Sequence, residues 1–67
     1  MAPLPRGTLM ADLNGLRVLV VEDSPLVATA LSDMLAQVGC VVEANAPNMA
    51  AAVDAIENKE VQVAIVI

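Results

Sequence analysis

The residues with the clearest chemical potential are two adjacent acids, Glu22 and Asp23. They follow an apolar run directly, and no basic residue stands next to them in the sequence. Because neighbouring carboxylates repel each other, a hard cation that prefers oxygen ligands, such as Mg²⁺, would relieve the repulsion. This pattern predicts a metal site at Glu22 and Asp23. It is equally compatible with a solvated strand end, since adjacent acids are common in turns.

The residues on either side of the acids predict the elements that position them. Five of the six residues from Leu16 to Val21 are apolar, and a continuous Val/Leu run is typical of a strand buried on both faces. Ser24 can accept a hydrogen bond from the first turn of a helix, and Pro25 suits the first helical position. The stretch therefore predicts a strand, an acidic turn and a helix. The acids lie at the carboxyl end of that strand, where α/β sheets place their ligand crevices.

Helical periodicity predicts two helices. Apolar residues at spacings of four, four and three indicate the first, from about Pro25 to Val38, and Gly39 is a typical stop signal. The second is predicted from Pro47 or Asn48 to Asn58. The apolar positions are Val27, Leu31, Leu35 and Val38 in the first helix and Met49, Val53 and Ile56 in the second.

These stripes also predict which helical residues are buried. We expect the pair Met34 and Leu35 in the first helix and Met49 in the second to lie in the core. The second helix contains four alanines, which we expect to contribute helix propensity more than packing. They are Ala50, Ala51, Ala52 and Ala55.

Two further strands are predicted, from Cys40 to Ala44 and from Val61 to Ile67. Strands that alternate with helices indicate βαβ units and a parallel sheet. If both crossovers are right-handed and the helices cover opposite faces, the strand order is 2-1-3 with the first strand in the centre. The predicted fold class is therefore α/β, with a partial doubly wound parallel sheet that forms a flavodoxin-like half.

Composition narrows the possible functions. A chain of 67 residues forms at most one small domain. Its 58% hydrophobic content is too high for disorder, although it contains no aromatic residue. Eight acidic against three basic residues give a net charge of −5, which argues against nucleic-acid binding. The single cysteine, Cys40, is expected to be a small buried hydrophobe in a reducing cytoplasm.

Several kinds of site and segment are not indicated. The chain has no His and no phosphate-binding glycine loop, so we expect no catalytic residue and no enzymatic activity. No apolar run is long enough to cross a membrane. Residues 1–15 combine Pro3, Pro5 and Gly7 with mixed residues, and we expect them to form a flexible leader.

The stretch from Val18 to Pro25 resembles the opening of the receiver domain of two-component response regulators. The resemblance extends over Leu16 to Ile67, the N-terminal half of such a domain. It includes the apolar positions of the first helix, here called the leucine stripe, Gly39 before the second strand, and the apolar third strand. The resemblance implies a cytoplasmic phosphorelay role. It implies Mg²⁺ bound by Glu22 and Asp23, and a sensor histidine kinase or phosphotransfer protein as the partner of a full-length receiver.

The resemblance also indicates what is missing. Receivers carry a phosphoacceptor aspartate at the end of the third strand. In many of them this strand also begins with an aspartate, which four apolar residues separate from the acceptor. If Gln62 takes the place of that first aspartate, Ile67 takes the place of the acceptor. A register one residue longer puts the acceptor beyond Ile67. In either register these residues contain no acceptor, and two carboxylates should bind Mg²⁺ only weakly. The loop Asn45-Ala46-Pro47 also departs from the Asp-Gly that many receivers have there.

Two functions follow as expectations. The first is a truncated receiver domain that carries the acidic pair without the phosphoacceptor. The alternative is a structural half-domain that self-associates, because its third strand would be an apolar edge with unpaired backbone groups. Because of this exposed edge, we expect the isolated chain to form a homodimer or higher oligomer.

Overall fold

The computed structural model describes residues 13–67, which form a three-stranded sheet between two helices. The elements in chain order are β1 (Arg17–Val21), α1 (Pro25–Gln37), β2 (Val41–Ala46), α2 (Met49–Asn58) and β3 (Val63–Val66). All strands are parallel, and their order in the sheet is β2-β1-β3. The predicted α/β class and the 2-1-3 order are confirmed. The predicted leader lies outside the described residues except for residues 13–15.

The central strand β1 supplies most of the core. The side chains of Val18 and Val20 lie on the α1 side of the sheet, and Cys40 packs in the same cluster. Those of Leu19 and Val21 lie on the α2 side. All four β1 residues are at most 5% exposed. The continuous apolar run is therefore explained by burial on both faces, and Cys40 is the buried hydrophobe that the sequence predicts.

Each helix begins after a capping residue, which is the predicted Ser24 for α1 and Asn48 for α2. The Ser24 hydroxyl accepts a hydrogen bond from the Val27 amide at 3.4 Å, and Asn48 Oδ1 accepts one from the Ala51 amide at 2.9 Å. Helix α1 ends at Gln37, one residue earlier than predicted. Gly39 then has a φ of +96°, which glycine adopts without the steric cost that a Cβ would add.

Strand β2 is longer than predicted. The sequence indicates a strand from Cys40 to Ala44, but β2 runs to Ala46 because its last two residues pair with the last two of β1. The register shifts between Val18 and Leu19, so that Glu43 is an extra residue in β2. Asn45 has a low intrinsic strand preference, and pairing with the central strand overrides it.

The apolar stripe of α2 does not face the sheet. Met49, Val53 and Ile56 are between 49% and 60% exposed, whereas Ala52 and Ala55 are buried against β1 and β2. The prediction that Met49 lies in the core was wrong. The prediction that the alanines contribute helix propensity more than packing was wrong for Ala52 and Ala55. Small side chains allow α2 to lie close to the sheet, and the larger side chains then project sideways or outward.

Helix α1 packs in the same way. Its buried residue is Ala28, while Leu31 and Leu35 are half-buried against the α1-side cluster. Met34 is 64% exposed, so its predicted core position was wrong, although that of Leu35 is partly confirmed. The first and last residues of the predicted leucine stripe are also exposed.

Strand β3 is an edge strand that the helices do not cover. Within residues 13–67, both helices contact β1 and β2, and neither lies over β3. Ile65 packs against the α1-side cluster, but Val63, Val66 and Ile67 are 40% to 67% exposed. The strand is also shorter than the predicted Val61 to Ile67. The sequence pattern of a buried strand is present, but the layers that would bury it are not seen among these residues.

The close approach of α2 to the sheet can be tested by enlarging one alanine. Ala52 is 1% exposed, so Ala52→Leu should lower the free energy of unfolding by about 1–3 kcal/mol through overpacking. Ala50, on the exposed side of the same helix, provides the matched control, and Ala50→Leu should change stability by less than about 0.5 kcal/mol. Urea denaturation followed by circular dichroism measures both. Equal effects of the two substitutions would contradict the packing described here.

Candidate functional site

The acidic pair lies in the turn between β1 and α1, as predicted. The Glu22 amide donates to the Ala46 carbonyl oxygen at 3.0 Å, which continues the pairing of β1 with β2. Glu22 Oε1 accepts a hydrogen bond from the Ser24 amide at 3.1 Å, so the turn holds this carboxylate in place. Glu22 is half-buried and Asp23 is exposed. One carboxylate is therefore fixed by the backbone, and the other faces solvent.

An open cavity of about 210 Å³ lies beside the pair. Its walls come from the β1–α1 turn, the first turns of α1 and the end of β2. The lining residues are Glu22, Asp23, Pro25, Ala28, Asn45 and Pro47. The structure thus brings both predicted metal ligands to one concave site, at the carboxyl edge of the sheet.

Asn45 is a residue of this site that the sequence analysis missed. It ends up at the cavity because β2 extends past its predicted end. Its Oδ1 accepts a hydrogen bond from the Ser32 hydroxyl of α1 at 2.9 Å, which fixes the amide beside the acids. The signal was present in the sequence, since polar residues that follow neighbouring parallel strands meet at the same edge of a sheet.

The charges of the described residues are separated along the sheet. Arg17 lies at the amino-terminal end of β1, where its side chain pairs with Glu43 at 2.9 Å and with Glu60 at 3.4 Å. Lys59 follows α2 at the same end of the sheet. These two cations, the basic residues of the described part, are thus remote from Glu22 and Asp23 at the opposite edge. The negative charge of the acidic pair is not neutralised by a described side chain.

The donor atoms of the site are of the kind that Mg²⁺ binds. Two carboxylates and the Asn45 amide supply oxygen, and Mg²⁺ often keeps several waters while it is held by one or two carboxylates. Among residues 13–67, however, no three acidic, Cys or His side chains converge in a metal-binding group. The site therefore fits a largely hydrated cation that is held weakly, and it does not form a closed protein cage.

The chain continues the sheet beyond β3 at Ile67. The Ile67 amide donates to the Val21 carbonyl oxygen at 3.1 Å, and Val66 pairs with Val21. Ile67 is therefore level with Glu22 on the neighbouring strand. Ile67 follows Ile65 by two residues, and residues two apart in a strand face the same side of the sheet. Both therefore belong to the α1 side. The third strand thus places an apolar residue, 67% exposed, beside the acidic pair.

Comparison of the chain with models of protein families, with curated proteins and with solved structures found no match in any of the three. The described helices also include none with the length and apolar character needed to cross a membrane.

Proposed function

We propose that this chain carries the amino-terminal half of a response-regulator receiver, with Glu22 and Asp23 as weak Mg²⁺ ligands and no phosphoacceptor aspartate among residues 16–67. The observation that carries the proposal is the place of the acidic pair. Glu22 and Asp23 directly follow the central strand of a 2-1-3 parallel sheet, and both line an open cavity. The partner of such a module in a full-length receiver would be a histidine kinase or phosphotransfer protein in the cytoplasm.

The pairing of β3 with β1 supports this proposal further. In a receiver the acceptor lies beside the acidic pair, and Ile67 is the residue of the third strand that is level with Glu22. This favours the register in which Ile67 occupies the acceptor position. An isoleucine cannot act as a nucleophile, so the described residues should bind a cation without accepting a phosphoryl group.

The residues of the site have distinct roles in this proposal. Glu22, held by the Ser24 amide, provides a carboxylate of fixed position, and Asp23 provides a second one that solvent can reach. Asn45 is oriented by Ser32 and limits the cavity on the β2 side. A bound Mg²⁺ would supply positive charge that neutralises phosphoryl oxygens in an intact receiver.

Removal of the two carboxylates should abolish Mg²⁺ binding. We expect MgCl₂ to shift the backbone amide NMR signals of Glu22, Asp23 and Asn45 in the native chain, with saturation only at high concentration because two carboxylates bind weakly. The double variant Glu22→Gln/Asp23→Asn should lose these shifts.

The matched control is Asp54→Asn/Glu57→Gln on α2, which changes the net charge by the same amount away from the cavity. It should keep the shifts. If the two double variants respond to Mg²⁺ equally, the response does not depend on Glu22 and Asp23 in particular, and the proposed site does not exist.

An aspartate in place of Ile67 should strengthen the site. Because Ile67 is level with Glu22, Ile67→Asp would add a third carboxylate beside Glu22 on the neighbouring strand, and Mg²⁺ should then bind more tightly than to the native chain. Val66→Asp is the matched control, since Val66 is similarly exposed and its side chain belongs to the opposite side of the sheet. The same NMR titration measures both. The register that puts Ile67 at the acceptor position would be refuted if Val66→Asp bound Mg²⁺ more tightly than Ile67→Asp. It would also be refuted if neither variant bound Mg²⁺ more tightly than the native chain.

A second candidate function is self-association, which a separate observation favours. Strand β3 has a free edge, and neither described helix lies over it, so apolar side chains are exposed on a strand that has unpaired backbone groups. Such an edge can pair with a second copy of the same chain. The chain would then act as a structural or interaction module without a role in phosphotransfer.

A charged residue on the edge strand should weaken this association. We expect light scattering of the native chain to give a dimer or larger oligomer whose mass rises with protein concentration and does not depend on Mg²⁺. Val66→Lys should shift the mass towards the monomer, because lysine on an edge opposes strand pairing. Leu26→Lys, at an 82% exposed position on α1, should have no such effect. A compact monomer at all concentrations would exclude the self-association function.

A further inference from the structure

The turn before β1 contains the dipeptide Asn14-Gly15, which has a known chemical weakness. A backbone amide nitrogen that follows asparagine can attack the side-chain amide, and glycine favours this because it has no Cβ to hinder the approach. Asparagine is for this reason among the residues that limit thermal durability. Asn14 is exposed, so water and hydroxide can reach it.

The fold constrains the attacking atom. The Gly15 amide donates a hydrogen bond of 2.7 Å to the Gly39 carbonyl oxygen, and Gly15 has a φ of +82°. Attack requires loss of the amide proton to base, the same step that governs hydrogen exchange, and a hydrogen-bonded amide loses its proton only after local opening. The reactive nitrogen is therefore protected for as long as this turn is closed.

We propose that Asn14 is a site of spontaneous deamidation whose rate is set by opening of the Gly15–Gly39 hydrogen bond. The deprotonated Gly15 nitrogen forms a bond to Cγ of Asn14, the bond from Cγ to the side-chain nitrogen breaks, and ammonia leaves with a proton from water. Water then opens the resulting succinimide at either carbonyl to give aspartate or isoaspartate. No oxidant or reductant takes part, and the reaction does not depend on the proposed receiver function.

The modification would change how the sheet begins. A second hydrogen bond lies next to the Gly15–Gly39 bond, since the Val41 amide donates to the Leu16 carbonyl oxygen at 2.8 Å. Together they join the start of β1 to the start of β2. Isoaspartate adds one carbon to the backbone at residue 14, and either product adds a negative charge where Asn14 packs against Gly39. Deamidation should therefore loosen this end of the β1–β2 pair.

The test follows deamidation of the full chain in native buffer and in urea at the same pH. Peptide mapping by mass spectrometry, with enzymatic methylation to detect isoaspartate, gives the rate at each asparagine. We expect Asn14 to react faster than Asn58 in urea, and to react about two- to tenfold more slowly in native buffer than in urea, the range that one net hydrogen bond supports. Equal rates for Asn14 in the two solvents would overturn the proposal, as would a faster reaction at Asn58 in urea.

A variant at the acceptor residue tests the mechanism of protection. A Cβ at Gly39 would lie 2.7 Å from Asn14 Oδ1 and 3.2 Å from Asn14 Cα, so Gly39→Ala must displace the turn. We expect Asn14 in this variant to approach its urea rate in native buffer, while Asn58 stays slow. The Lys59 amide that follows Asn58 donates to the Ala55 carbonyl oxygen at the end of α2, so Asn58 reports opening of that helix end and not of the Gly15–Gly39 turn.

Slow reaction at Asn14 in a folded Gly39→Ala variant would overturn the proposed protection. Acceleration at both asparagines would mean that the variant has unfolded, in which case the comparison of the native chain in buffer and urea decides.

Discussion

Burial of β1 on both faces is the constraint on which the rest of this structure depends. Its four residues from Val18 to Val21 are almost inaccessible to solvent, and each alternate side chain supplies the core for a different helix. A strand in this position must pair on both edges, and it does so with β2 and β3. The acidic pair follows this strand immediately, and the hydrogen bond that the Glu22 amide donates to the Ala46 carbonyl oxygen fixes the backbone of Glu22 against β2.

The helices contribute to the core mainly through alanine. Ala28 in α1, and Ala52 and Ala55 in α2, are buried, whereas Leu31 and Leu35 of α1 are only half-buried and the other long apolar side chains of the two helices are exposed. This close packing offers little apolar area per residue, and much of the hydrophobic content of the chain stays in contact with solvent. Exposed apolar groups on this scale mark surfaces that bind other protein surfaces. They suit both proposed functions, since a receiver half and a self-associating module would each require further layers.

The two ends of the sheet have opposite character. At the amino-terminal end, Arg17 is paired with Glu43 and Glu60, so its charge is balanced within the fold. At the carboxyl end, no described basic side chain pairs with Glu22 or Asp23, so their charge can interact with solvent or with a bound cation. The oxygen donors around the cavity are of the type that suits a hydrated divalent cation. Ile67 lies level with Glu22 on the neighbouring strand and supplies no oxygen from its side chain.

The sequence by itself determined the order and type of the elements, the Ser24 cap and the place of the acidic pair. These features depend on local chemistry: a Val/Leu run, an Asn or Ser at each helix start, and a glycine at a positive φ. Tertiary structure alone decided which helical faces are buried, how far β2 extends and that Asn45 joins the cavity. A helical pattern marks an apolar face but does not show which of the helical residues contact the sheet, and here the buried ones are alanines. The end of β2 likewise depends on the pairing of Asn45 and Ala46 with β1. The local strand preferences of these two residues do not indicate that pairing.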